Sequence, residues 1–135
     1  MQSPNGLHPD ETTVCVLDDD PSIVKAIERL QRAGGVPVKT FTDPRALLQH
    51  AEQHQPRVVI TDIWMPIMDG LEVQRRLRDL APQASVIVLT SNDDPAVRAK
   101  ALQAGAAAFF VKPADDDEFL DRIRAELDAA VTNRR

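Results

Sequence analysis

Five short apolar runs alternate with five helical patterns along the chain, and this alternation constrains the fold more than any other feature. Neighbouring parallel strands need a crossover of a dozen or more residues, usually a helix, so the alternation predicts a parallel sheet. Five units are too few to close an eight-stranded barrel. The sequence therefore predicts an α/β fold, a (βα)5 doubly wound sheet. The predicted strands are 14–17, 36–41, 58–60, 86–90 and 107–111.

Several predicted helices share the same start signal, an aspartate at the N-cap position followed by proline at the first helical position. Three helices begin in this way, at Asp20-Pro21, Asp43-Pro44 and Asp94-Pro95. Asp69-Gly70 and Asp115 are predicted to open the other two helices. The first strand has no polar position and is predicted to be central, whereas the more polar second strand suits an edge.

Four of the five predicted strands end in polar groups that can converge. The first strand ends in Asp18-Asp19-Asp20, the third in Asp62, the fourth in Thr90-Ser91 and the fifth in Lys112-Pro113. The second strand, which ends at Phe41-Thr42-Asp43, offers little that converges. In open α/β sheets, ligands bind beyond the carboxyl ends of the strands, near the point where the strand order reverses. We therefore expect acids, a hydroxyl and an amine to meet at one edge of the sheet.

The chemistry of this set indicates a metal and a phosphoryl group. Three carboxylates that meet repel one another unless a cation lies between them, and all-oxygen ligation indicates Mg²⁺, with Mn²⁺ possible. Lys112 can pair with a carboxylate or a phosphoryl oxygen, and Thr90 can donate a hydrogen bond to the same group. Metal, lysine and hydroxyl stabilise phosphoryl charge, and a carboxylate can itself act as the nucleophile.

Four motifs together give the chain its resemblance to the receiver domain of bacterial two-component response regulators. They are Leu17-Asp18-Asp19-Asp20-Pro21, the stretch from Asp62 to Gly70, Leu89-Thr90-Ser91, and Val111-Lys112-Pro113. The resemblance covers about residues 13–131 and implies a flavodoxin-like fold with strand order 2-1-3-4-5. We expect a receiver domain over residues 12–132, a flexible tail over residues 1–11 and no visible output domain.

The resemblance also implies the role of each site residue. Asp62 resembles the phosphoacceptor, which takes a phosphoryl group from the phosphohistidine of a sensor kinase or phosphotransfer protein, or from a small phosphodonor. Asp18 and Asp19 resemble the acid pair that places Mg²⁺, Asp19 directly and Asp18 through water. The backbone carbonyl of Trp64 would supply another ligand. The bulk of that side chain leads to the hypothesis that it shields the phosphoryl group from water, with simple loop packing as the alternative.

The remaining implied roles concern switching. Lys112 would contact the phosphoryl group, and its peptide bond to Pro113 would be cis. Thr90 would be the switch hydroxyl and Phe109 the aromatic that turns inward with it. Phe in place of the commoner Tyr keeps the ring but removes a hydroxyl. The fourth helix, fifth strand and fifth helix would report the state, to an unknown downstream effector or through a homodimer, and the domain would catalyse only its own phosphorylation and dephosphorylation.

The composition of the chain indicates which classes of binding partner and which cellular compartment to expect. Sixteen Lys and Arg against twenty-one Asp and Glu give a net charge of −5, which argues against general nucleic-acid binding by this domain. No apolar stretch approaches the roughly 20 residues of a membrane span, and the polar tail lacks the apolar core of a signal peptide. The single cysteine, Cys15, lies in an apolar run and is predicted to be a buried thiol. The expected location is the cytoplasm.

Two rival functions remain to be weighed. The first is a phosphatase with an aspartate nucleophile on a similar sheet, but Asp18-Asp19-Asp20-Pro21 lacks the Gly-Thr that follows the Asp-x-Asp of that class. The second is a flavodoxin-like cofactor binder, but no loop rich in Gly, Ser or Thr follows the first strand. Asp20 is interpreted as a helix cap only. His50 and His54 are interpreted as solvated side chains and not as metal ligands.

Overall fold

A five-stranded parallel sheet in the order β2-β1-β3-β4-β5 forms the centre of the molecule, which confirms the predicted fold and strand order. The computed structural model describes residues 9–133, with side chains for residues 11–129. The strands are β1 Val14–Leu17, β2 Val38–Phe41, β3 Val58–Thr61, β4 Ser85–Thr90 and β5 Ala108–Val111. The helices are α1 Pro9–Thr12, α2 Pro21–Ala33, α3 Pro44–His54, α4 Gly70–Leu80, α5 Pro95–Gln103 and α6 Asp116–Asn133.

Helices cover both faces of the sheet, so alternate strand residues enter two separate hydrophobic clusters. Cys15, Val59 and Val88 pack on the face covered by α3, α4 and α5. Ile60 and Leu89 pack on the opposite face, beneath α2 and α6. This double coverage explains why the central strands have no polar face. Cys15 is fully buried as predicted, and burial raises the pKa of its thiol to about 12.

The predicted helix starts are confirmed in atomic detail. Each aspartate of the three Asp-Pro pairs accepts a hydrogen bond from a backbone N–H in the first turn of its helix. Asp69 caps α4 in the same way, and Asp115 accepts from the backbone of Glu118 at the start of α6. Each cap fixes the residue at which its helix begins, so the caps define where the loops at the carboxyl edge of the sheet end; the longest of these loops is residues 62–69.

Two element ends differ from the sequence prediction by two residues, and one end each of β3, β4 and β5 differs by one residue. β2 begins at Val38, not at residue 36, because the N–H of Val36 bonds to the carbonyl of Gln31 at the end of α2. α3 continues through His54, so the loop predicted for residues 53–56 is shorter. It ends where Gln55 adopts a left-handed conformation, with its side-chain amide donating to the carbonyl of Leu80 at 2.9 Å.

The expected tail over residues 1–11 needs a correction at its end. Residues 1–8 lie outside the described part of the chain, but α1 begins at Pro9 and Glu11 is buried. The Glu11 carboxylate lies 2.9 Å from Arg57 at the amino end of the sheet, and the N–H of Arg57 donates to the carbonyl of Glu11. Residues 9–11, which were expected to be part of the tail, therefore belong to α1. Among the described helices, none is both long and apolar enough to cross a membrane.

Candidate phosphoryl-transfer site

The predicted site residues lie at the carboxyl ends of four neighbouring strands. Asp18 and Asp62 directly follow β1 and β3, which adjoin each other at the point where the strand order reverses. Thr90 ends β4, and Lys112 follows β5. Asp18 and Asp62 are only 3% and 8% exposed, and Thr90 is fully buried. Buried acids require a compensating charge, so this edge of the sheet is a candidate site for a cation.

Three carboxylates meet at this edge. Asp18, Asp19 and Asp62 each place one oxygen within 4.8 Å of the other two, and the side chains described for residues 11–129 contain no second group of this kind. Desolvation of its carboxylate, and then the negative charge of Asp18, raise the pKa of Asp19. The charge of Asp62 acts in the same direction. Mutual repulsion of this kind disappears when a divalent cation binds, and an all-oxygen donor set suits Mg²⁺ or Mn²⁺.

Lys112 is the cation that the folded chain itself brings to the carboxylates. Its Nζ lies 2.8 Å from Asp18 Oδ2 and 3.9 Å from Asp62 Oδ2. Its backbone N–H donates to the carbonyl of Thr90, and its peptide bond to Pro113 is cis. One ammonium group offsets one of three negative charges, so the formal deficit matches the charge of a divalent metal ion.

The two carboxylate oxygens of Asp62 have different surroundings. Oδ1 accepts a hydrogen bond from the N–H of Ile63 at 2.7 Å, while the N–H of Asp62 itself donates to Leu17 of β1. Oδ2 faces Lys112 and has no closer hydrogen bond among the described residues. One carboxylate oxygen of Asp62 is therefore fixed by the backbone, and the other is directed toward Lys112.

The switch residues implied by the resemblance occupy neighbouring strands. Thr90 Oγ1 accepts a hydrogen bond from the N–H of Asn92 at 3.4 Å. Phe109 is half-buried on β5, and the guanidinium carbon of Arg98 on α5 lies 5.4 Å from the centre of its ring. Trp64, by contrast, is 46% exposed in the loop after β3. The indole is thus available to cover the site or to pack against a partner.

Two residues beside Asp62 have roles that the sequence did not reveal. Gly70 was predicted only as a helix-start residue, but a Cβ at this position would lie 2.2 Å from the carbonyl oxygen of Asp62. The second is Thr61, whose hydroxyl donates to the same carbonyl at 2.8 Å. The available signal for Thr61 was that it is the one polar residue in the run that precedes Asp62.

Comparison with solved structures supports the fold. A CheY-like response regulator receiver domain from Methanospirillum hungatei superposes with a TM-score of 0.84 at 24% sequence identity. The alignment covers 90% of this chain and 98% of that one. At this level of identity the similarity concerns the fold alone.

Comparison with known sequences identifies the family. Response regulator protein TodT of Pseudomonas putida is 35% identical over 123 residues, which cover 91% of this chain and 54% of TodT. Transcriptional regulatory protein KdpE of Mycobacterium tuberculosis is 40% identical over 116 residues, 86% of this chain and 51% of KdpE. The chain thus spans about half the length of these relatives. Because the response regulator receiver domain family matches residues 14–124, the chain belongs to that family.

Proposed function

We propose that this receiver domain accepts a phosphoryl group on Asp62, from the phosphohistidine of a sensor kinase or phosphotransfer protein, or from a small phosphodonor. The observation that carries the proposal is the hydrogen bonding of the Asp62 carboxylate, because only one of its two oxygens accepts a hydrogen bond from the backbone. One oxygen is fixed by the backbone of Ile63, and the other faces Lys112 at 3.9 Å. An acid buried at the carboxyl edge of the sheet and partnered in this way is arranged to react and not merely to be solvated.

In the proposed transfer, Asp62 Oδ2 attacks phosphorus while the bond from phosphorus to the donor atom breaks, the imidazole nitrogen of a phosphohistidine or the acyl oxygen of a small donor. The bonding electron pair leaves with the donor, and Asp62 becomes an aspartyl-phosphate. Lys112 is placed to hold a phosphoryl oxygen, because its ammonium group already spans Asp18 and Asp62. Asp18, Asp19 and the backbone carbonyl of Trp64 would hold Mg²⁺ together with Asp62. The bound metal would neutralise charge on the phosphoryl oxygens.

The proposed output is a shift between two conformations. Phosphorylation can favour an active state only if that state interacts more strongly with the phosphoryl group. Thr90 and Phe109 would carry the change from the site to α5, β5 and α6, which correspond to the predicted fourth helix, fifth strand and fifth helix. We propose this surface as the contact for a downstream effector or a second copy of the chain, with no direct nucleic-acid binding by this domain.

The phosphatase alternative receives no support from the relatives, which are response regulators. The two functions differ in stoichiometry. A phosphatase turns over a phosphate ester many times in the presence of Mg²⁺, whereas a receiver domain is labelled to about one phosphoryl group per chain.

Replacing Asp62 with Asn tests the proposal directly. The Asp62→Asn variant should lose all labelling from acetyl phosphate, because the amide oxygen is a poor nucleophile. Labelling is measured by intact-protein mass spectrometry, with loss of the label in hydroxylamine as the signature of an acyl phosphate.

Asp20→Asn is the matched control, since Asp20 is close in sequence to the acid pair but caps α2, and Asn caps helices equally well. This control should be labelled as the wild-type protein is. Labelling of Asp62→Asn at the wild-type stoichiometry would remove Asp62 from its proposed role.

A further inference from the structure

The chain leaves the sheet at Asp62, and side chains take over the hydrogen bonds that the strand ladder no longer makes. The N–H of Asp62 still pairs with Leu17 of β1 at 3.1 Å. The next N–H, that of Ile63, turns to the carboxylate of Asp62, and the carbonyl of Ile63 accepts from Gly70 at 2.9 Å. The carbonyl of Asp62 accepts from the hydroxyl of Thr61 at 2.8 Å. Every backbone polar group around the proposed nucleophile therefore has a specific partner.

The bond from Thr61 matters because of the peptide group that it fixes. The carbonyl of Asp62 and the N–H of Ile63 belong to one planar peptide unit, so they rotate together. Thr61 holds the oxygen end of this unit, and the N–H end holds Asp62 Oδ1. A rotation of the unit that breaks the bond from Thr61 to the Asp62 carbonyl also moves the N–H of Ile63, which holds the Asp62 carboxylate. The hydroxyl of Thr61 is thereby coupled to the direction of Asp62 Oδ2.

The surroundings leave this peptide unit little freedom. Thr61 is fully buried, so water cannot replace its hydroxyl. The start of α4 packs so closely that a Cβ on Gly70 would lie 2.2 Å from the Asp62 carbonyl oxygen. A buried carbonyl without a donor is costly, so loss of the Thr61 hydroxyl would favour a small displacement of this peptide unit within the limited space.

We propose that Thr61 is a positioning residue for phosphoryl transfer, acting through the Asp62–Ile63 peptide unit and not by contact with the phosphoryl group. This inference rests on the proposed function of Asp62 as phosphoacceptor. It adds a hydroxyl directly before the nucleophile to the residues that determine the rate of the reaction.

The test compares Thr61→Val, which removes the hydroxyl, with Thr61→Ser, which keeps it. Two quantities are measured, the rate constant for labelling by acetyl phosphate and the Mg²⁺ affinity reported by the fluorescence of Trp64, the single tryptophan. Thr61→Val should be labelled about tenfold more slowly and bind Mg²⁺ more weakly, because a small displacement of a reacting group lowers its rate strongly. Thr61→Ser should restore both values to near those of the wild type.

Thr40→Val is the matched control, since Thr40 is a half-buried strand threonine on β2, away from the carboxylates. It should change neither quantity. If Thr61→Val fails to fold, Thr61→Ser and Thr61→Ala form a second pair that differs in the hydroxyl alone. A hydroxyl-free variant with wild-type rate and affinity would overturn the inference, as would a serine variant as slow as its hydroxyl-free counterpart.

The outcomes also separate this inference from the function on which it rests. Normal labelling of Thr61→Val together with no labelling of Asp62→Asn would refute the role of Thr61 alone. Labelling that survives in Asp62→Asn would refute the proposed function, and the positioning role with it.

Discussion

At the scale of single residues, the three consecutive aspartates after β1 show that identical side chains acquire different roles from their directions. Asp18 is buried and pairs with Lys112 at 2.8 Å. Asp19 is exposed but brings one oxygen toward Asp18 and Asp62. Asp20 turns away to cap α2, and its own N–H donates to Asp18 Oδ1 at 3.0 Å. Asp20 thus caps α2 with its side chain and helps to hold the buried carboxylate of Asp18 with its backbone N–H. Of the three aspartates, only Asp20 has a purely structural role.

Trp64 provides a test of how water reaches the site. If its indole shields the aspartyl-phosphate, Trp64→Asn should shorten the phosphorylated lifetime by about two- to tenfold, because excluding water protects reactive intermediates from hydrolysis. The lifetime is measured from the decay of the labelled mass after the phosphodonor is removed. Ile67→Asn in the same loop is the control, because Ile67 is 72% exposed and its left-handed φ of 72° suits Asn. Equal lifetimes for Trp64→Asn and the wild type would contradict the shielding hypothesis.

Gly70 provides a second test at this scale. Gly70→Ala should destabilise the fold by about 2–3 kcal/mol and slow labelling, since the added methyl group must displace the carbonyl of Asp62. Urea unfolding measures the stability, and labelling by acetyl phosphate measures the rate. In the control Gly34→Ala, the new Cβ would approach only side-chain atoms, those of Arg124 at 3.0 Å and of Leu120 at 3.2 Å, and no backbone atom. Loss of stability in Gly70→Ala without slower labelling would show that the close approach matters for folding only.

At the scale of elements, short strands and capped helices determine where functional side chains emerge. β1, β3 and β5 have only four residues each, so the strands that carry Asp18, Asp62 and Lys112 at their carboxyl ends are short. Each strand is followed by a helix whose start is capped by an aspartate. At the opposite edge, α1 contacts the amino end of β3 through the ion pair between Glu11 and Arg57. The carboxyl edge thus carries the candidate chemistry, while the amino edge contributes stability.

The contact between α1 and β3 gives a prediction about stability. Glu11→Gln should lower the free energy of unfolding by about 3 kcal/mol, because it leaves a buried guanidinium without its counter-charge. Labelling of the folded protein should be unchanged, since the pair lies at the opposite edge of the sheet from Asp62. The double variant Glu11→Gln with Arg57→Met should recover part of the loss.

The control is an exposed ion pair of similar chemistry. Glu72 bonds to Arg75 and Arg76, and these bonds lower the pKa of its carboxyl to about 2. Because its pKa is depressed in the folded state, the pair contributes above the ordinary value of about 4.5, and this contribution is lost as pH falls toward 2. At neutral pH Glu72→Gln should have little effect, as is usual for exposed pairs. A loss in Glu11→Gln no larger than that in Glu72→Gln would contradict the buried ion pair.

At the scale of the whole molecule, the site exists only when the sheet is complete. Lys112 reaches Asp18 across 94 residues of sequence, and four separate strands contribute to one edge. The unfolded chain cannot present this arrangement. A metal that binds the site therefore stabilises the entire domain by linkage.

Metal removal tests this linkage. Mg²⁺ at about a hundred times its dissociation constant should stabilise the fold by about 2.7 kcal/mol, which raises Tm by about 10 °C for a domain of this size. Tm is measured by circular dichroism in MgCl₂, in EDTA, and in KCl of matched ionic strength. The Asp62→Asn variant should show a smaller shift. Equal Tm values in MgCl₂ and in matched KCl would contradict a metal site at these carboxylates.

The sequence predicted the fold and the helix caps because their signals are local. An aspartate followed by proline needs only the next few backbone N–H groups to act as a cap, and the structure confirms all three such pairs. The end of α3 was predicted two residues too early because a distant contact decides it, the bond from Gln55 to the carbonyl of Leu80, 25 residues away. The start of β2 was predicted too early for a local reason, since the N–H of residue 36 bonds to the carbonyl of Gln31 at the end of α2.

The sequence by itself determined the alternation of strands and helices, the central position of β1 and the placing of acids, hydroxyl and lysine at strand ends. Only the tertiary structure decided that Lys112 pairs with Asp18, that Glu11 is buried against Arg57, and that Gly70 abuts the Asp62 carbonyl. The physical reason is range, since hydrogen bonds within a few residues follow from chain order, whereas contacts across 46 or 94 residues depend on how helices pack on the sheet.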